Sequence, residues 1–478
     1  MATGMLRTSG QSIVDADGKP LTILCQTTLG GWMMMENFIN GFPGRECQIR
    51  AALLKVLGKE KYGFFFDKFL EYFFTEKDGE FLSSLGFNCL RLSFNYHHFE
   101  DDMNPFVIKE EGFKHLDRAI EIVMRNPWIA GYNPLNEPAD EQWTRLLSFY
   151  DRIVPAVRAV DPDHILFLED NTFSMDFSGF TDVFPNSVYT IHDYCGFGFP
   201  NCIGRYQGLK EQDDYIRKMY DRKSAFMKEH NVPVWNGEFG PIYEREEHNP
   251  DYKVQNDERF DMLDRQMAIY TADSIAWSIW SYKDINVMGL AYVSPDSPWL
   301  KLLGPIIRKK RDLAVDPWAY DDAHLLEGLF APLHKWFEDN VPAQYNKKYP
   351  WQWRMHMHVF RGIRGITMAE YMIPEWADYF KDKSFEELDE LAASWKIENC
   401  LQRERLNELL SLYAPMKADD PRLEGKVIQP ATEAKDETVK AKDSVSGVGV
   451  FELAADEKKR LATSAVHEVQ RQPVQQGA

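Results

Sequence analysis

Two glutamates, Glu137 and Glu238, stand 101 positions apart, and each closes a short apolar run in polar company. Asn136 immediately precedes the first, in YNPLNEP, and the second sits in WNGEFG. Arg91 in CLRLSF, His192 and Tyr194 in TIHDY, and Trp280 in WSIWSY mark the ends of similar runs. Breaking a glycosidic bond needs two such carboxyls. One, protonated, donates to the leaving oxygen; the other, ionised, attacks the anomeric carbon or activates water. Different environments must hold the two in different protonation states. Arg91 beside one glutamate is expected to keep it ionised, and a tyrosine hydroxyl to orient the same carboxylate. Either glutamate alone reads as a solvated or structural residue, so the argument rests on the co-occurrence with Arg, Asn, His, Tyr and Trp.

The apolar runs predict strands at 21–29, 87–94, 128–137, 164–170, 187–194, 232–240 and 274–282. Helical patterns lie between them, at Phe64–Leu85, 113–124, 143–161, 213–231 and about 257–272. Strands alternating with helices imply a parallel sheet with helices outside it. The short, unalternated strands fit burial on both faces. Seven of them predict an α/β fold, a TIM (β/α)8-type barrel that is incomplete. In such a barrel the C-terminal strand ends converge on one site, which would gather all the residues named above. No GxGxxG follows a strand and there is no P-loop, so the nucleotide-binding alternatives lose support.

The chain has 478 residues, 55 Lys plus Arg, 74 Asp plus Glu, and a formal net charge of −19. That charge disfavours nucleic acid and anionic lipid as partners. Aromatics reach 14% with 13 Trp, which suits sugar rings and flat apolar ligands. The six cysteines form no CxxC pair, so zinc ribbons and thioredoxin-type redox sites are not expected. The N-terminus shows no apolar h-region, and no run is long enough to span a bilayer. The default expectation is a soluble cytoplasmic protein with no cofactor and no metal, acting on a carbohydrate or glycoside; its oligomeric state is not legible. Residues 1–20 read as a polar lead-in and 21–415 as the barrel, with a helical, aromatic extension from about 290. Residues 416–478 read as a disordered tail, with a short helix at 453–463.

NEP (136–138), HDY (192–194), GEFG (237–240) and the Trp280 strand end together resemble glycoside hydrolase family 5, retaining (β/α)8 glycosidases. GGWMMMENF (30–38) and GFNCLRLSFNYHHFEDD (86–102) resemble its fungal members. The resemblance spans roughly residues 10–415. It implies that Glu137 on the fourth strand is the general acid/base and Glu238 on the seventh the nucleophile. It further implies that Asn136 binds the sugar 2-hydroxyl, that Arg91, His192 and Tyr194 shape the nucleophile's surroundings, and that Trp280 floors the sugar subsite. A retaining pair is expected about 5–5.5 Å apart.

One unit is missing against that pattern. Between Phe94 and Trp128 there is room for one loop and one helix. A third strand and its helix would need about 30 residues more. The family's third-strand histidine has no counterpart. This is the pattern of a splice form, a misjoined gene or an impaired enzyme. Because about 1 Å of misplacement can cost roughly a hundredfold in rate, weak or absent activity is expected. The rival class is a non-catalytic carbohydrate-binding relative. A further alternative is a glycosidase acting on a glucosylated lipid such as a ceramide or sterol.

Blander readings cover the other candidates. His356 and His358 in RMHMHVF lack a nearby carboxylate for metal binding, and His97 and His98 read as solvated histidines ahead of a loop or substrate-contact role. Trp32 and Met33–Met35 read as packing at the first strand's mouth, and Trp351 and Trp353 as core. Cys195 and Cys202 read as free thiols without a general base. Ser384, three residues before Glu387, predicts a helix cap. Leu388, Leu391, Trp395, Leu406 and Leu410 are expected to share one buried face.

Overall fold

Six strands pair in parallel in the order β3-β8-β7-β6-β5-β4. They are β3 (Cys25–Thr27), β4 (Gly131–Tyr132), β5 (Ile165–Glu169), β6 (Ser187–His192), β7 (Val234–Glu238) and β8 (Ala276–Ile279). An antiparallel hairpin, β1 (Arg7–Ser9) and β2 (Ser12–Val14), precedes them. A small sheet of β9 (Lys283–Asp284), β10 (Ala291–Val293) and β11 (Cys400–Gln402) follows. The computed structural model describes residues 4–21, 25–123, 129–140, 143–200, 203–313, 315, 328, 330–342, 344–345 and 359–429. The expected helix at 453–463, Trp351, Trp353, His356, His358 and Cys202 lie outside these residues.

Strand residues alternate across the curled sheet, as the two-residue repeat of a pleat requires. Ile165, Phe167, Val188, Trp235 and Ala276 face the inside and form one cluster. Leu166, Leu168, Tyr189, Ile191 and Trp277 face the surrounding helices and join the main core. Leu6 and Ile13 of the hairpin pack into the inner cluster, so the stretch expected as a polar lead-in plugs the inside of the sheet.

Residues 87–94, expected as the second strand, form isolated bridges instead of a ladder: Arg91 opposite Thr28, and Phe94 opposite Met33. The run lies against β3 through the Leu29 N–H to Arg91 O bond (3.0 Å) and the Arg91 N–H to Thr27 O bond (3.1 Å). On its other side no ladder joins it to β4 among the described residues. The helix Phe113–Val123 leads from this run toward β4 and packs on Glu76–Ser84. The Arg118 guanidinium donates to Phe74 O and Leu70 O there. Among the described residues the sheet is thus an incomplete (β/α) barrel, with no strand at the seam between the 87–94 run and β4.

The helical pattern expected at 64–85 is two helices, Glu46–Phe73 and Glu76–Ser84, the first kinked at Gly58 (φ 72°). Phe65, Phe69 and Phe73 of the first pack on Trp299, Phe380 and Trp395 of the C-terminal helices; Phe65 and Trp299 stack at 6.2 Å. Ser384 caps Phe385–Ala393 through the Glu387 N–H, and the Glu387 carboxylate accepts from the Ser384 N–H. Leu388, Leu391, Trp395, Leu406 and Leu410 are all buried, although β11 divides the expected long helix into Phe385–Ala393 and Glu404–Tyr413. Order continues past 415: Met416 and Leu423 are buried, and Lys426 pairs with Asp264 at 2.9 Å. Two apolar anchors and an ion pair hold a segment whose composition reads as loose.

Candidate active site

Side chains from successive runs of the curled sheet reach the same end. Arg91 comes from the bridging run, Glu169 from β5, His192 from β6, Glu238 from β7, and Trp280 follows β8. Beyond β4 the chain carries Asn133, Asn136 and Glu137. The parallel register forces this convergence, because equivalent strand ends are neighbours.

Arg91 is the centre of the cluster and is buried (9% exposed). Its Nη1 donates to Glu238 Oε1 at 2.7 Å and to Gly237 O at 3.1 Å. Its Nη2 donates to Asn136 Oδ1 (2.6 Å), Asn133 Oδ1 (3.0 Å) and Glu169 Oε1 (3.2 Å). The guanidinium therefore spans the open seam, joining the bridging run to the residues after β4. Beneath it lies the Trp235 ring, 5.2 Å from the guanidinium carbon.

The Tyr194 hydroxyl donates to Glu238 Oε2 at 3.1 Å. His192 Nδ1 lies 2.7 Å from Glu137 Oε1 and 3.6 Å from Glu238 Oε2. Burial works against a charge on His192, but Glu238, Glu169 and the hydrogen bond to Glu137 prevail and raise its pKa to about 10. It is an imidazolium at neutral pH. Glu238 is governed first by burial, which with Glu137 and Glu169 raises its pKa against the pull of His192 and Arg91. Arg91 counters the burial of Glu238 without cancelling it, because the carboxyl is almost fully removed from water.

The structure brings all seven expected residues to one end of the sheet. Asn136, expected at a sugar hydroxyl, accepts from Arg91 with its Oδ1. His192, expected at the nucleophile, bonds Glu137. Trp280 is buried (4% exposed) against Gly30, where a Cβ would come within 2.7 Å of the indole ring. Glu137 is 30% exposed and has φ +46°. Trp32 donates its indole N–H to Leu70 O and Met33 is buried, in keeping with packing roles. His97 sits in an exposed turn with Asp102.

Two carboxylates of the cluster escaped the sequence reading. Glu36 follows the GGWMMM run; burial, then Glu238 and Glu137, raise its pKa to about 8. Glu169 is fully buried. Burial would raise its pKa, but His192, Arg91 and Ser174 bring it down to about 2. Glu169 ends the strand run HILFLED, the same signature that marked Glu137 and Glu238, so the signal was present.

Glu137, His192 and Glu238 offer ligand atoms within 4.8 Å of one another, a spacing open to a metal ion. The donor set fits one poorly. His192 is protonated, its Nδ1 is engaged by Glu137, and Arg91 lies against Glu238. Metal ligation requires a neutral imidazole.

A parallel sheet curled around strand-end carboxylates is the build of glycoside hydrolases, and comparison with known proteins agrees. The family model for cellulase, glycosyl hydrolase family 5, matches residues 126–286. A beta-xylosidase of Phanerodontia chrysosporium is 43% identical over 472 residues, covering 86% of this chain and 99% of the relative. Endoglucanase E-5 of Thermobifida fusca is 23% identical over 191 residues, covering 37% of this chain and 36% of that protein. Among solved structures, an endoglucanase has a TM-score of 0.41 at 13% identity, covering 55% of this chain and 90% of that one. The chain belongs to glycosyl hydrolase family 5 and is a glycoside hydrolase. The 472 positions aligned with the xylosidase cover only about 411 residues here, so about 60 positions face gaps, more than the roughly 30 residues of a βα unit.

Proposed function

We propose that this protein hydrolyses β-glycosides of glucose or xylose with retention of configuration, Glu238 acting as nucleophile and Glu137 as acid/base. One observation carries the reading: a carboxylate oxygen of Glu137 lies within 4.8 Å of one of Glu238. That closeness supports a retaining pair, about 5–5.5 Å apart, over an inverting pair at about 6.5–9.5 Å. Arg91 and Tyr194 hold Glu238 from two sides and so fix its aim at the anomeric carbon. Glu137, the more exposed of the two, delivers a proton to the leaving oxygen and then takes one from the water that releases the sugar. His192 binds Glu137 Oε1 and leaves Oε2 for that exchange. Asn136 and Glu36 are hydrogen-bonding groups for sugar hydroxyls, and Trp280 supplies an aromatic floor.

The test is hydrolysis of p-nitrophenyl β-glucoside and β-xyloside, followed by proton NMR of the first sugar anomer released. The β-anomer is expected first. Glu238→Gln is expected to lower kcat by roughly a thousandfold or more. Initial release of the α-anomer, or an unaffected Glu238→Gln protein, would overturn the assignment.

A second reading, a lipid-linked glycoside, draws on the loop after Arg91, where Met103 (85% exposed), Phe106 (91%), Val107 and Ile108 face solvent. Faster turnover of a steryl or ceramide glucoside than of the aryl glycosides would favour it.

A further inference from the structure

We infer that Glu169 is the positioning residue of this site: its buried carboxylate fixes both the loop that carries Glu137 and the two cations that serve Glu238. The assignment rests on the catalytic roles proposed above and adds a residue to them. Both oxygens are in use. Oε2 accepts the Glu137 backbone N–H at 2.8 Å and the Ser174 hydroxyl at 2.5 Å. Oε1 accepts from Arg91 Nη2 at 3.2 Å and lies 3.5 Å from His192 Nε2. One side chain thus touches the backbone of the acid/base and both cations around the nucleophile.

The surrounding backbone is bent to this purpose. Glu137 has a left-handed φ, and so do Thr172, Phe173 and Ser174 (52°, 60° and 58°). Such conformations cost non-glycine residues about 1–2 kcal/mol each and persist only where other contacts impose them. Here the two strained segments clamp each other. Phe173 N–H donates to Pro138 O at 3.1 Å. The Asn171 side chain accepts from Asp140 N–H (2.8 Å) and donates to Asp140 O (2.9 Å). The turn after β5 is a cradle for the Glu137 loop, and Glu169 is its charged floor. With β4 only two residues long and no ladder on its seam side, this cradle replaces the sheet pairing that a neighbouring strand would supply.

The charges fit the geometry. The groups facing His192 are Glu137 beyond β4, Glu169 on β5, Glu238 on β7 and Arg91 from the bridging run, with Asp193 and Tyr194 next on its own chain. Asp193 is occupied by Lys223 at 2.7 Å, and Tyr194 by Glu238. Of the carboxylates, Glu169 is held ionised to a low pH, so it is the permanent counter-ion of the imidazolium.

The experiment is a side-chain NMR titration of His192 in labelled protein, beside kinetics on an aryl β-glycoside. In Glu169→Gln the His192 midpoint is expected to fall by at least about one unit, and kcat by roughly a hundredfold with KM little changed. The alkaline limb of the kcat profile should move with the His192 midpoint. An unmoved midpoint, or a kcat loss that only follows a lowered melting temperature with an unchanged pH profile, overturns the inference. If Glu169→Gln fails to fold, Glu169→Asp decides. It keeps the charge but retreats from the Glu137 amide, so His192 should stay charged while kcat falls; an unaltered kcat overturns the inference. A wild-type protein without glycosidase turnover would refute the proposed reaction, while the NMR arm still decides the role of Glu169.

Discussion

Replacing Arg91 by methionine keeps an unbranched apolar stem and removes all of its side-chain polar contacts. Five hydrogen bonds go: to Gly237 O, Glu238, Asn133, Asn136 and Glu169. Two buried carboxylates lose one of their two cations, His192 remaining 3.5 Å from Glu169 and 3.6 Å from Glu238, and the seam loses its side-chain bridge. Breaking one partner of a buried ion pair costs about 3–5 kcal/mol, because the other charge stays behind unpaired. Unfolding entropy is about 2.1 cal/mol/K per residue, so a folded body of about 400 residues has roughly 0.8 kcal/mol/K. The expected fall in Tm is therefore about 4–6 °C by calorimetry at neutral pH. A surface control sets the scale: Lys210→Met removes an exposed pair with Asp214 and is expected to move Tm by no more than about 1 °C. Activity should fall at least about a hundredfold, since Glu238 loses its strongest anchor. An Arg91→Met protein that melts within about 1 °C of wild type would show that the seam is closed by something other than this guanidinium, and would refute the reasoning.

Three further outcomes are expected. Glu36 has its pKa raised from 4.5 to about 8 in the folded protein. The folded form therefore holds a proton that the unfolded form has lost between those values, and stability declines as pH rises through that window. Glu36→Gln has no such proton to lose, so its Tm should gain on wild type from pH 5 to pH 9; an equal difference at both ends would contradict this. Lys283 and Asp78 form a fully buried ion pair, and Lys283 also donates to Phe73 O and Trp395 O, tying the barrel side to the C-terminal helices. Asp78→Ala should cost about 3–5 kcal/mol in urea unfolding, whereas the double change Asp78→Leu with Lys283→Met should recover most of it; no recovery would refute the pairing argument. Finally, the open seam beside Asn133 and Asn136 should leave this chain with kcat/KM at least about a hundredfold below that of the Phanerodontia chrysosporium xylosidase on the same aryl glycoside. Equal values, with a cooperative melt, would show that the site tolerates the missing strand.

The sequence by itself determined the class of fold and the catalytic candidates. Strand runs such as HILFLED and SVYTIHDY carry apolar residues toward both faces, as a strand buried on both faces requires, and their charged residues gather at the C-terminal end that forms the site. The absence of a third unit was equally legible, since a stretch of chain too short for a strand and a helix cannot contain both. Tertiary structure decided what spacing along the chain cannot encode. Glu169 ends β5 as Glu238 ends β7, and Glu36 lies within GGWMMMENF, but only the curl of the sheet places them against Glu137 and Glu238. It also decided the charge states. The pull of Arg91 on Glu238 is a matter of residue types, but its contest with burial depends on how much water the fold removes. The bridging run at 87–94 has strand composition, yet it makes no ladder, because a strand is defined by its neighbours and among the described residues it has none on one side; there the Arg91 guanidinium bonds Asn133 and Asn136 across the seam.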